Sequence, residues 1–201
     1  HGRMSRAWID SNGSLAFSII FKNDFVISNF DSLSLISAVS VYLSLRKHID
    51  NVYLKWPNDV IVNDKKICGI LMESISYDKI IGLVLGIGVN VNNRIFDDSL
   101  NATSLYLESN REFEIKDILN DILTNIETLL NNLKNGDKSY LDIFKKNNYL
   151  LNKNVIAMID NEEKEVKVID ILDDNRLLIK VDDKEIALST GEITFHKENK
   201  K

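Results

Sequence analysis

The chain has 201 residues, 44% of them hydrophobic and 27% charged, which is typical of a globular protein with a real hydrophobic core. Its net charge of -5 argues against a general nucleic-acid-binding protein. The single cysteine excludes an intramolecular disulfide. No 18-residue apolar window or charged-then-apolar leader predicts a membrane span or signal peptide, so we expect a cytoplasmic location.

The first quarter of the chain predicts a strand and a helix. Residues 1–8 form a short basic run with a glycine and an aromatic, which is as typical of a frayed terminal arm as of a binding loop. Residues 15–21 are nearly all apolar and predict a buried strand. After the N-cap pair at 31–32, residues 33–45 place an apolar stripe along one helical face.

A central segment then concentrates unusual residues. Residues 52–54 predict a strand that leads into 55–60, Lys-Trp-Pro-Asn-Asp-Val, where the only proline of the chain indicates a shaped turn. Residues 65–73, Lys-Lys-Ile-Cys-Gly-Ile-Leu-Met-Glu, predict a buried strand after a second turn. Gly69 inside that strand indicates close approach of a backbone or a ligand. On spacing alone, a plain hairpin with a polar tip remains the alternative.

The second half predicts one more glycine-rich strand, two helices and a run of short strands. Residues 80–91 are apolar with three glycines, but the third glycine and following helix of a dinucleotide-binding fingerprint are absent. Residues 115–133 predict a long amphipathic helix, and 140–150 a shorter one. From about residue 151 the apolar residues alternate and predict four or five strands. We therefore expect two domains, 1–150 and 151–198.

Several of these motifs resemble one family, the biotin protein ligases. Segments 55–60 and 66–73 together are similar to its central signature, Lys-Trp-Pro-Asn-Asp followed by Lys-x-x-Gly-Ile-Leu-x-Glu. The other similar segments are 2–8 (its glycine- and arginine-rich loop), 86–92 (its Gly-x-Gly-x-Asn strand), 102–105 (a short segment before its next helices) and 188–193 (its Ser-Gly-Glu-Val ending, with Thr190 where serine is commoner). The resemblance implies an α+β fold, with a mixed β-sheet packed by helices and a small SH3-like β-barrel after it.

The same resemblance implies a two-step reaction. Biotin is activated with ATP to biotinyl-5′-AMP, and the biotin is then transferred to a lysine of a biotin carboxyl carrier protein. ATP and Mg²⁺ are the implied cofactor set, and a homodimer is a family-level expectation. Joining a carboxylate to a phosphate brings two anions together, so such a site needs fixed positive charge.

The resemblance also assigns roles to individual residues. Lys66 is placed at the biotin carboxyl and the α-phosphate as the main catalytic residue, with Arg3 as the second. Arg6 also holds phosphate, and Asp59 is placed beside Mg²⁺. The implied substrate-binding set is Arg6, Trp8, Lys55, Trp56, Asn58, Gly69, Ile70, Leu71, Gly88 and Asn90. Within it Gly69, Leu71 and Gly88 form the biotin slot, while Trp8, Asn58 and Asn90 lie on the nucleotide side. No cluster of histidine, cysteine and carboxylate suggests zinc.

One part of the family pattern has no counterpart. The Ser-Thr-Asn-type motif and glutamine that bind the biotin ring in the family precede the first matching segment, and we expect a catalytic domain that is incomplete at its N-terminus. A catalytically incomplete subunit that binds biotin, adenylate or a partner is therefore an alternative. A lipoate-protein ligase of related fold is another. Transcriptional regulation is disfavoured because no helix-turn-helix precedes the catalytic segment.

Overall fold

The computed structural model describes residues 13–22, 24–159, 162–189 and 194–196. They form an N-terminal five-stranded sheet, five helices and a C-terminal five-stranded sheet. The N-terminal strands are β1 (Ser14–Phe21), β2 (Val52–Lys55), β3 (Asp59–Val62), β4 (Lys65–Ser76) and β5 (Ile80–Asn90). The helices are α1 (Asp24–Ser28), α2 (Phe30–Leu45), α3 (Leu105–Ser109), α4 (Ile115–Lys134) and α5 (Ser139–Lys146). The C-terminal strands are β6 (Asn154–Ile159), β7 (Glu162–Ile171), β8 (Leu177–Val181), β9 (Lys184–Leu188) and β10 (Thr194–His196).

The N-terminal sheet has the strand order β1-β5-β4-β3-β2, and each of these pairs is antiparallel. Strands β2 to β5 follow one another through short turns, which can join antiparallel neighbours only. The α+β class is confirmed. The prediction of a mixed sheet is wrong for these strands, because all of their pairs are antiparallel. A parallel component is limited to two single bridges, Leu54 with Asn148 and Lys66 with Ala102.

The C-terminal sheet confirms the alternating pattern after residue 151. Its order is β10-β6-β7-β8-β9, with antiparallel pairs throughout. In the part of the chain that the structure describes, this sheet is open, since its edge strands β10 and β9 do not pair with each other. The described C-terminal residues thus form a second antiparallel sheet, and they do not show the closed barrel that we expected.

Helix α2 is buried on all sides, so the predicted single apolar stripe was wrong. It packs between the N-terminal sheet and helices α4 and α5, and its residues 32–42 are all buried. Serines read as a polar face in the sequence, but they are small enough to pack inside. Ser37 and Ser40 donate their hydroxyls to the carbonyls of Leu33 and Ile36, which satisfies them without water.

The other helices follow the predicted periods. Helix α4 spans Ile115–Lys134 and buries one face, and Gly136 beyond it has a φ of 83°, the left-handed conformation that ends many helices. Helix α5 spans Ser139–Lys146, so it begins one residue before the predicted range 140–150 and ends four residues before its end. None of the helices in the described ranges combines the length and apolar character needed to span a bilayer.

Candidate functional site

One row of directly paired residues crosses all five strands of the N-terminal sheet. Ala16 pairs with Gly88, Gly88 with Gly69, Gly69 with Asp59, and Asp59 with Lys55. Directly paired residues point to the same face of a sheet, so this glycine row lies on one face, here called the outer face. The three small residues lie next to a carboxylate and a lysine; Ala16 is exposed, Gly69 half-buried and Gly88 buried.

A β-bulge brings Lys66 to the same face. Lys66 and Gly69 are three residues apart, and in a regular strand they would point to opposite faces. Val60 pairs with Cys68, but the next residue, Ile61, pairs with Lys66, so one extra residue of β4 is accommodated at Ile67. The bulge therefore aligns Lys66 with Gly69 and Asp59 on the outer face.

Lys66 and Asp59 form an ion pair at the end of the glycine row. The Lys66 Nζ lies 2.6 Å from Asp59 Oδ1, and the two side chains are 40% and 22% exposed. The neighbouring Cys68 is fully buried, and burial raises the pKa of its thiol well above the usual range. The cysteine is therefore a protonated core residue at physiological pH, and the reactive groups on this stretch are Lys66 and Asp59.

Asn58 fixes the turn that precedes Asp59. Its side-chain Nδ2 donates to the carbonyl of Ile70 at 2.6 Å, and its own carbonyl accepts the amide of Ile70 at 2.9 Å. Ile70 itself is buried in the core, so its backbone, not its side chain, contacts this turn. This double contact, here called the Asn58 clamp, fastens the start of β3 to the middle of β4.

We expect Asn58→Ala to lower the free energy of unfolding by about 1 kcal/mol, because it removes a partly buried hydrogen bond and leaves the Ile70 carbonyl without this donor. Urea unfolding measures the loss. The matched control is Asn101→Ala, which removes an equally short amide bond, 2.6 Å to the Asp64 carbonyl, at an exposed position. Its expected cost is below about 0.5 kcal/mol. Equal losses in the two variants would contradict a special role for the Asn58 clamp.

Residues 101–104 form a further side of the site, next to Lys66. The Lys66 amide donates to the Asn101 carbonyl and the Thr103 amide donates to the Lys66 carbonyl, each at 2.9 Å. Asn90 is buried, and its Nδ2 donates to the Thr103 carbonyl at 2.9 Å. The end of β5 is thereby tied to the start of β4 through this segment. Sequence similarity at 102–105 flagged the segment but did not reveal that it touches Lys66.

The remaining predicted residues occupy different surroundings. Lys55 is half-buried at the end of the glycine row, and Leu71 is half-buried on the outer face, paired with Gly86. Trp56 is only 1% exposed, and its Nε1 donates to the Asn175 carbonyl in the turn between β7 and β8, at 3.1 Å. No local sequence pattern indicates this contact with the C-terminal sheet. Arg3, Arg6 and Trp8 lie outside the described residues.

The structure thus groups eight predicted positions around one part of the outer face. They are Lys55, Asn58, Asp59, Lys66, Gly69, Leu71, Gly88 and Asn90. The arrangement offers a floor of glycine backbone, an ammonium and a carboxylate, which suits a ligand with an apolar body and an anionic end.

Comparison with known families agrees with the resemblance of the sequence motifs: residues 1–90 match the Biotin/lipoate A/B protein ligase family. The range includes the glycine row, the Lys66–Asp59 pair and the Asn58 clamp, so the described part of the candidate site up to Asn90 lies inside the matched range.

Individual relatives extend the likeness beyond residue 90. The bifunctional ligase/repressor BirA of Bacillus spizizenii is 34% identical over 129 residues, covering 61% of this chain and 40% of the relative. The biotin–[acetyl-CoA-carboxylase] ligase of Paracoccus denitrificans is 32% identical over 94 residues, 45% of this chain and 39% of the relative. The match spans less than half the length of either curated protein.

A solved structure matches nearly the whole chain. It is the biotin protein ligase from Aquifex aeolicus in complex with biotin and ATP, with a TM-score of 0.87 and 26% sequence identity. The match covers 98% of this chain and 84% of that one. Both sheets of this chain therefore lie within the part of the fold that it shares with that structure.

Proposed function

We propose that this chain is an ATP-dependent biotin protein ligase. It joins biotin to the adenylate of ATP and then transfers the biotin to a lysine of a biotin carboxyl carrier protein. The observation that carries the proposal is the Lys66–Asp59 pair at the end of the glycine row, inside a fold shared with a ligase whose structure contains biotin and ATP.

The first step forms a mixed anhydride. A biotin carboxylate oxygen attacks the α-phosphorus of ATP, the bond to the bridging oxygen of the β-phosphate breaks, and pyrophosphate leaves. By resemblance, the Lys66 ammonium neutralises both the carboxylate and the phosphate oxygens on which charge develops; its position at the end of the glycine row supports this role. Arg3 and Arg6, by resemblance, contribute further positive charge to the phosphates. Trp8 and Asn90 are assigned to the nucleotide side on the same ground.

The glycine row holds the other end of the substrate. Gly69 and Gly88 pair directly, and Leu71 lies two residues along β4 on the same face. A flat, largely apolar ligand can lie against this backbone floor with its carboxylate directed toward Lys66. In the second step the carrier lysine attacks the anhydride carbonyl carbon, the C–O bond to AMP breaks, and an amide forms with loss of one proton. Positioning of the reactants supplies much of the catalysis.

Asp59 fits a role beside Mg²⁺. Magnesium at nucleotide sites is held by one or two carboxylates together with substrate phosphates, so a single carboxylate is sufficient. In the structure the Asp59 Oδ1 faces the Lys66 ammonium. When that ammonium turns toward the substrate anions, the carboxylate becomes available to the metal. A bound Mg²⁺ supplies charge neutralisation at the phosphates.

We further propose that the C-terminal sheet is the SH3-like module of the family, and that the ligase works in the cytoplasm, where a homodimer is expected.

The test is an assay of the protein with biotin, ATP, Mg²⁺ and a biotin carboxyl carrier domain. We expect pyrophosphate release that depends on biotin, and a carrier domain whose intact mass increases by one biotinyl group. Replacing biotin with lipoate is the specificity control, and lipoate transfer at an equal rate would reject biotin as the substrate. Pyrophosphate release without transfer, or binding of biotin without either, would refute the ligase assignment.

A further inference from the structure

Each of the three residues before Asp59 is held by a different part of the molecule. The Trp56 Nε1 donates to the Asn175 carbonyl of the C-terminal sheet, and the Pro57 carbonyl accepts from the Ser34 hydroxyl of α2, both at 3.1 Å. Asn58 is fastened to β4 through Ile70. The position of Asp59, and with it the Lys66 pair, is therefore set by three anchors, one of which lies outside the matched range 1–90.

Asn175 is built into the C-terminal sheet as a rigid anchor. It lies in the turn between β7 and β8, is 9% exposed and has a φ of 70°, a left-handed conformation that asparagine tolerates better than most residues. Its amide donates to the Leu172 carbonyl at 2.8 Å, and its carbonyl accepts from Trp56. Both backbone groups of this buried residue are thus committed, which fixes the carbonyl that receives the indole.

The side chain of Asn175 is held from the opposite side by two helices. The Tyr140 hydroxyl of α5 lies 2.9 Å from both Asn175 Oδ1 and Ser32 Oγ, and Asn175 Nδ2 donates to Ser32 Oγ at 3.2 Å. The three side chains close a ring of hydrogen bonds. Burial raises the pKa of Tyr140, so its hydroxyl stays protonated and continues to donate. The ring leaves Asn175 little freedom to move relative to α2.

We propose that Asn175 is a positioning residue for the ligase reaction. Through its carbonyl it holds Trp56, and through Trp56 it fixes the turn that places Asp59 opposite Lys66. The inference rests on the proposed function for its kinetic consequence and on the hydrogen bonds alone for its structural one. It assigns the C-terminal sheet a part in adenylate formation, before any carrier domain is bound.

The kinetic test compares Asn175→Ala and Tyr140→Phe with a matched control, Asn152→Ala. Asn175→Ala removes the side-chain bonds to Tyr140 and Ser32 that hold the Asn175 carbonyl against Trp56. Asn152 is also an asparagine at positive φ, 61°, but it is exposed, so the control carries the same backbone cost without loss of that ring. Assays run below the melting temperature of the least stable variant. We expect kcat for biotin-dependent pyrophosphate release to fall about tenfold or more in both test variants, with KM for biotin within about threefold of wild type. Asn152→Ala keeps wild-type kcat.

A spectroscopic test separates this inference from the proposed function. The chain has two tryptophans, so a Trp8→Phe background leaves one indole N–H signal, that of Trp56. In ¹H–¹⁵N spectra we expect Asn175→Ala to shift this signal and the amide signals of Asp59 and Lys66, and Asn152→Ala to leave them in place. Unshifted site signals, or equal kinetic losses in Asn175→Ala and Asn152→Ala, would overturn the positioning role. An inactive wild type with shifted signals refutes the ligase function while supporting the structural coupling.

Discussion

Replacing Lys66 with alanine is expected to reduce biotin-dependent pyrophosphate release by at least about a thousandfold, because the proposed function assigns the Lys66 ammonium to both reacting anions. The loss appears in kcat, since the charge on the phosphate oxygens develops in the transition state. A coupled pyrophosphate assay under single-turnover conditions measures it. The fold remains intact: Lys66 is 40% exposed, and exposed ion pairs contribute little to stability.

Lys65 provides the matched control for this experiment. It immediately precedes Lys66 in β4, is exposed, and pairs with Val62. Lys65→Ala removes the same side chain and the same charge from the adjacent position, so a general effect of net charge appears equally in both variants. We expect Lys65→Ala to retain wild-type pyrophosphate release. Activity of Lys66→Ala above a tenth of wild type would exclude Lys66 as the central catalytic residue.

The sequence predicted the local structure well where one physical signal dominated. The alternation after residue 151 predicted strands, and the three- and four-residue spacing of 115–133 predicted α4, because each pattern reflects a buried face. It failed for α2, whose serines look polar but are packed inside, where Ser37 and Ser40 bond to carbonyls of their own helix. Periodicity reports which residues are apolar, and a helix buried on all sides by small hydroxyl residues gives a misleading stripe.

The candidate site shows the same division. The motif at 55–60 and 65–73 identified Lys66 and Asp59 as important, but spacing alone places Lys66 and Gly69 on opposite faces of β4. Only the bulge at Ile67 reconciles the lysine with the glycine row, and nothing in the local sequence marks its position. The contact between Trp56 and Asn175 joins residues far apart in the chain, so a local pattern predicts the turn at 173–176 but not its target.

The hydrogen bonds that support the site come from two parts of the molecule. Asn58 and the segment 101–104 hold the strands that carry Asp59 and Lys66, whereas Asn175 sets the turn between β2 and β3 from outside. These contacts involve only groups of the chain itself. A site that must bring two anions together benefits from such preorganisation, because no binding energy is spent on assembling the charged groups.

Gly88 is the position where a side chain is expected to interfere most with biotin binding. It pairs with Ala16 on one side and Gly69 on the other, so a valine side chain at 88 projects from the outer face into the row between them. Valine favours strands, and β5 gains rather than loses backbone stability from it. We therefore expect Gly88→Val to weaken biotin binding by at least about a hundredfold, about 2.7 kcal/mol, by steric exclusion.

Titration calorimetry with biotin measures this loss, and a graded series identifies its cause. Gly88→Ala adds one methyl group and should fall between wild type and Gly88→Val, as steric filling requires. Glu73→Val is the matched control: it places valine on the same face of the sheet, four residues beyond Gly69 on β4, about 13 Å along the strand. The control should bind biotin normally. Normal binding by a folded Gly88→Val would show that biotin lies elsewhere and would remove the glycine row from the site, whatever the activity of Lys66→Ala.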